Sequence, residues 1–126
     1  MNKKKILIEK ARSVLKNSYS PYSNLKVAAA LLTDDGTFFT GVNVENSSIG
    51  LSICAERSAM VSAVSEGYRS FAAIAITSNR RDPISPCGAC RQFMAEFGDF
   101  DVFLVGEDRI ISTTVYELLP MRFEME

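Results

Sequence analysis

Val27-Ala28-Ala29-Ala30-Leu31-Leu32-Thr33-Asp34-Asp35-Gly36-Thr37-Phe38-Phe39-Thr40-Gly41-Val42-Asn43 decides how this chain folds. Residues 27–32 are unbroken apolar sequence, Asp34-Asp35-Gly36 is turn chemistry, and residues 37–43 carry the Phe, Thr and Val that suit a pleated surface. That order predicts a β-hairpin, so the sheet starts with antiparallel strands.

Upstream, Leu7, Ala11, Val14 and Leu15 recur at helical spacing over residues 4–16, and Asn17-Ser18 followed by Pro21 closes this first helix. Downstream, past a polar, Gly-containing stretch at 45–52, Ala55, Ala59, Met60, Ala63 and Val64 predict a second helix ending near Gly67. Residues 71–77 are short, apolar and bounded by Ser and Asn, which reads as a buried strand. A loop over 78–86 leads to a third helix at 87–97, where Ala89, Phe93, Met94 and Phe97 keep the period and Gly98 stops it. Residues 102–105 form a fourth strand and Ile110-Ile111 is a candidate start for a fifth. Thr114 with Glu117 resembles a capping box for a short last helix that Pro120 ends. A hairpin followed by strand and helix alternation implies an α/β fold: a mixed five-stranded sheet with helices on both faces, in three α-β-α layers.

With 126 residues and 13.9 kDa, the chain is read as a single domain, 1–126. Its 47 % hydrophobic and 23 % charged composition is that of a globular protein. The longest apolar runs, 27–32 and 71–76, are six residues each, far below the ~18 that a membrane span needs, so no membrane association is expected. A formal charge of −1 and a pI near 5.5 give no net attraction to a phosphate backbone, which disfavours nucleic acid as a partner. Lys3-Lys4-Lys5-Ile6-Leu7-Ile8 imitates the start of an export signal, but Glu9 and Lys10 interrupt it, so a cytoplasmic location is expected. Three cysteines cannot all pair within one chain, and histidine is absent. Chemistry here must run on thiolates and carboxylates.

Pro86-Cys87-Gly88-Ala89-Cys90 places two thiols three residues apart at a predicted helix start, on one face and in the positive field of the helix N-terminus. By itself that spacing also suits a redox dithiol, half of a structural zinc site or simply two buried cysteines. Cys54 also precedes a predicted helix and stands two residues before Glu56, which adds a third sulfur in a similar setting. Structural zinc sites are closed by four protein ligands, usually Cys or His. If Cys54, Cys87 and Cys90 share one zinc ion, the fourth corner stays open to water unless a carboxylate fills it, and an open corner means catalysis. Three thiolates on Zn²⁺ sum to −1, so a compensating cation is expected at the sulfurs; Arg57 is the first choice and Arg91 the second.

Cys54-Ala55-Glu56-Arg57, Ile84-Ser85-Pro86-Cys87-Gly88-Ala89-Cys90-Arg91-Gln92 and Asn43-Val44-Glu45-Asn46 together resemble cytidine deaminases of the small homotetrameric, zinc-dependent type. Tyr22-Ser23 and Leu118-Leu119-Pro120 add to a likeness that spans most of the chain. The resemblance implies hydrolytic deamination of cytidine and deoxycytidine with release of ammonia, one Zn²⁺ per subunit on Cys54, Cys87 and Cys90, and Glu56 as the proton shuttle. It further implies that Asn43 and Glu45 bind the ribose hydroxyl and that the Ala55 N–H holds the base carbonyl. The Ser85 carbonyl would receive the leaving amine, and Phe123 would reach a neighbouring subunit's site in a homotetramer with shared active sites. Leu25 stands where the family often has a Phe packing on the base, Ala28 where it has Gly, and Ile49 where it often has Tyr. Leu25 then gives apolar contact without stacking, and Ile49 lacks the hydroxyl a tyrosine would donate.

Overall fold

The hairpin forms as β1 (Val27–Thr33) and β2 (Phe38–Val42), paired antiparallel from Ala28↔Val42 to Leu32↔Phe38, in a computed structural model that describes residues 2–125. Gly36 takes φ +93° in the turn, a left-handed conformation that costs glycine little. On its other side β1 pairs antiparallel with β3 (Phe71–Ser78). β3 runs parallel to β4 (Asp101–Val105), and β4 pairs antiparallel with β5 (Ile110–Thr114). The order β2-β1-β3-β4-β5 is the expected mixed five-stranded sheet. Its one parallel step requires a crossover, which runs through α3 (Gly88–Ala95).

Every residue of β1 is buried because its side chains alternate between two covered faces. Ala30 and Leu32 meet Leu7, Ile8 and Ala11 of α1 (Lys3–Val14), together with Ala73, Ala75 and Val105. Ala29 and Leu31 join Ile74, Ile76, Val102 and Leu104 under Ala55, Ala59, Met60 and Ala63 of α2 (Ala55–Ser65) and Met94 of α3. This is the three-layer arrangement, and it explains why the strand reads as an apolar run rather than as alternation.

Element ends depart from the sequence pattern by a turn at most. The first helix tightens into a 3₁₀ turn at Leu15–Asn17, and another 3₁₀ turn, Ile49–Leu51, lies within the polar stretch before α2. The fifth strand continues from Ile110 to Thr114. The Thr114 hydroxyl then accepts from the Glu117 N–H at 3.2 Å to start α4 (Val115–Leu118), two residues short of Pro120. Gly41 in β2 fixes how closely α2 approaches the sheet. A Cβ there would lie 2.3 Å from the Ala59 nitrogen and 2.7 Å from the Ala55 carbonyl oxygen, so only glycine admits the first turn of α2 at this distance.

Candidate active site

Cys54 and Cys87 occupy the N-cap positions of α2 and α3 with extended backbones, φ −76°, ψ 155° and φ −66°, ψ 167°. A Ser or Asp at either position would turn its side chain onto the helix N–H groups. Neither cysteine caps its own helix, and the two sulfurs meet instead across the gap between helix starts, 4.0 Å apart. Cys90 is fully buried one turn into α3, and the three Sγ atoms lie within 4.8 Å of one another as free thiols. Sulfurs bound tetrahedrally at about 2.3 Å from zinc stand about 3.8 Å apart, so this donor set fits such an ion with slight contraction.

The neighbouring Cys90 thiol and then the Arg57 guanidinium bring the Cys54 thiol down to about 5 against the opposing effect of burial. Cys90, as donor and buried, is pushed far up. Arg57 Nη2 donates to Cys54 Sγ at 3.6 Å. Arg91 does not. Its guanidinium binds the Pro86 carbonyl at 2.8 Å, the Leu118 carbonyl at 2.7 Å and the Ser85 hydroxyl at 2.6 Å, tying the 85–86 loop to the end of α4.

Glu56, in the first turn of α2, is 4 % exposed. Burial pushes its carboxyl up to about 7, its backbone hydrogen bond opposes this, and the neighbouring Cys54 thiolate adds to the rise. It lines a cavity of about 550 Å³ together with Cys54 and Cys87, within the range of small-molecule sites. Leu25, Asn43, Glu45, Ala55 and Ser85 line the same cavity. Phe123 does not; it is exposed on the C-terminal tail, where its carbonyl accepts from Gln92 Nε2 at 3.2 Å.

Asn43 and Glu45 are engaged by their own chain. Asn43 Oδ1 accepts from the Val27 N–H at 2.9 Å and from the Ser18 hydroxyl, and its Nδ2 donates to the Leu25 carbonyl at 2.8 Å. Glu45 Oε1 accepts from the N–H groups of Tyr22 and Ser23 at 3.0 and 3.1 Å, and Oε2 accepts from the Ser23 hydroxyl. Both therefore hold the 22–27 segment against the cavity, a duty the motif Asn43-Val44-Glu45-Asn46 did not announce. Ser52 and Ile53 also line the cavity and were missed, since nothing in an Ile-Cys or Ser-Ile pair signals a site.

Three sulfurs gathered where two helices begin, a buried carboxyl two residues after the first of them and a small-molecule cavity beside them make a centre in an α/β fold that could hold a metal ion. Residues 1–106 match the family described as the cytidine and deoxycytidylate deaminase zinc-binding region. A "Probable cytidine deaminase" of Dictyostelium discoideum is 52 % identical over 121 residues, covering 94 % of this chain and 82 % of that one. A cytidine deaminase of Sporosarcina psychrophila is 46 % identical over 123 residues, 95 % and 90 % of the two chains. Among solved structures, the cytidine deaminase of Burkholderia pseudomallei superposes with a TM-score of 0.93 at 48 % identity, over 98 % of this chain and 100 % of that one. The chain belongs to the cytidine deaminase family, and is thus an enzyme of the hydrolase class.

Proposed function

We propose that this protein, one domain over residues 1–126, hydrolyses free cytidine and deoxycytidine to uridine and deoxyuridine with release of ammonia, in pyrimidine salvage. The observation that carries the reading is the buried Glu56 carboxyl beside the sulfur triad, at a cavity with no Lys or Arg among its described lining residues. A nucleotide would bring a phosphate that this lining leaves uncompensated; a nucleoside does not.

Cys54, Cys87 and Cys90 would hold one Zn²⁺ per subunit. The ion, when bound, supplies Lewis acidity that brings the pKa of water toward ~7. Glu56, balanced near neutrality, takes a proton from the attacking water and passes it to N3 of the pyrimidine as the water oxygen bonds to C4. It then carries the remaining proton to the amino group, the C4–N bond breaks and ammonia leaves. The Ala55 N–H, which opens α2 and has no partner within the helix, would hold the base carbonyl. The Ser85 carbonyl receives the departing amine, Leu25 gives the base an apolar wall, and Asn43 and Glu45 use their remaining bonding capacity on the ribose hydroxyl.

A homotetramer with shared sites is supported by the apolar side chains left exposed near the cavity mouth, Ile49 at 82 % and Leu51 at 65 %. Phe123 would reach a neighbouring cavity in that assembly. Three free thiols suit the reducing cytoplasm. No helix among the described residues is long and apolar enough to cross a membrane, and nucleic acid is not a partner in this reading.

The test is an assay of cytidine, deoxycytidine and cytidine monophosphate side by side, read as loss of cytosine absorbance, with the zinc content measured on the same sample and the mass by light scattering. Both nucleosides are deaminated and the monophosphate is not; chelation abolishes turnover and zinc restores it. Zinc-loaded protein that leaves cytidine unchanged overturns the substrate, and a monomeric mass overturns the tetramer.

A further inference from the structure

Asn79 follows β3, is exposed and does not line the cavity, yet its side chain grips the segment that does. Its Nδ2 donates to the Asn24 carbonyl at 2.9 Å, its Oδ1 accepts from the Lys26 N–H at 3.1 Å, and its own N–H donates to the Lys26 carbonyl at 3.1 Å. These bonds fall on the residues either side of Leu25, whose side chain forms part of the cavity wall and packs on the core. We propose that Asn79 is a positioning residue for nucleoside binding, setting Leu25 by clasping the peptide groups that flank it.

Two features of the segment give this clasp its leverage. Asn24 sits at φ +60°, a left-handed conformation that a residue other than glycine keeps only where its surroundings hold it. The segment is also β1 prolonged beyond its regular pairing. On the β2 side Asn43 binds the Leu25 carbonyl and the Val27 N–H, while on the β3 side Asn79 binds the Asn24 carbonyl and the Lys26 N–H. The two amides thus grip the Leu25–Lys26 peptide from opposite sides, Asn43 at its carbonyl and Asn79 at its N–H, and each extends the ladder beyond the last strand pairs. Glu56 and the cysteines stand on α2, α3 and their caps, to which Asn79 makes no hydrogen bond, so its loss acts on substrate binding rather than on the chemical step.

The inference rests on the nucleoside reading of the cavity, and the experiment separates the two. In the zinc-loaded enzyme, Asn79→Ala raises KM for cytidine at least ~3-fold with kcat and zinc content within twofold of wild type, and the Lys26 amide exchanges faster with solvent. Asn79→Asp keeps the acceptor and loses the donor, so the Lys26 amide stays protected while the KM of this variant lies between those of wild type and Asn79→Ala. An unchanged KM in Asn79→Ala overturns the proposal even if the melting temperature falls, as does a fall in kcat with KM unmoved. Wild type inactive on cytidine removes the functional reading instead, and the exchange of Lys26 still reports on the clasp.

Discussion

Arg57 Nη2 donates to Cys54 Sγ at 3.6 Å from three positions along the same helix, so the residue that starts α2 and the residue that balances its sulfur are set by one turn of backbone. Draining charge from a thiolate restores electrophilic strength to a metal held by sulfur alone. Arg57→Gln is expected to lower kcat/KM about 10-fold or more, within the 10–100-fold range usual for partners of metal ligands. Comparing kcat/KM with zinc retention against a chelator checks this, and unchanged values for both would show the guanidinium to be idle.

Glu56→Gln keeps the shape of the buried side chain and removes its proton exchange near pH 7. Turnover should fall at least ~10²-fold, the low end for a positioned general acid/base, with zinc content and fold retained. Single-turnover kinetics on the zinc-loaded variant measure it.

Gly41→Ala drives a methyl group into the backbone of α2 at Ala59 and Ala55. Neither contact is a flexible side-chain end, so strand or helix must shift, at a cost of about 1–3 kcal/mol. Denaturant unfolding reads the loss. Activity falls further than stability alone explains, because α2 carries Glu56 and is capped by Cys54.

Glu45 is held below its ordinary 4.5 chiefly by the Ser23 hydroxyl, which with the lesser help of the Ser23 and Tyr22 N–H groups outweighs the opposing effect of desolvation. Its folded pKa lies under its unfolded one, so the stabilisation is complete above about 4.5 and is lost as pH falls through the lower folded value. Wild type should therefore melt above Glu45→Gln at pH 7, and the gap should narrow as pH falls below the ordinary 4.5 toward the lower folded value. A gap independent of pH would remove the carboxylate from the loop's support.

The hairpin, the three main helices and the Cys87–Cys90 pair were legible because each is encoded locally, whereas Cys54 joins them from 33 positions away. Period, turn chemistry and spacing lie within a few residues, and Gly67 at φ +97° or the N-cap positions of Cys54 and Cys87 match what those signals predict. The tail of the first helix was less so, since Leu15 keeps the helical period where the backbone has already tightened to 3₁₀. Asn79 shows the limit more sharply. In the sequence it marks only a strand end, and its partners Asn24 and Lys26 lie 55 and 53 positions away.

Residue order alone thus determined which groups could do chemistry: thiols with no histidine, a glutamate two residues after the first of them, and an arginine next to it. Folding decided how those groups behave. Burying Glu56 raised its carboxyl to about 7, and sheet register brought β1 between β2 and β3 so that Asn43 and Asn79 could reach one loop from two sides. Desolvation and long-range pairing depend on neighbours distant in the chain, which is why they belong to the tertiary structure.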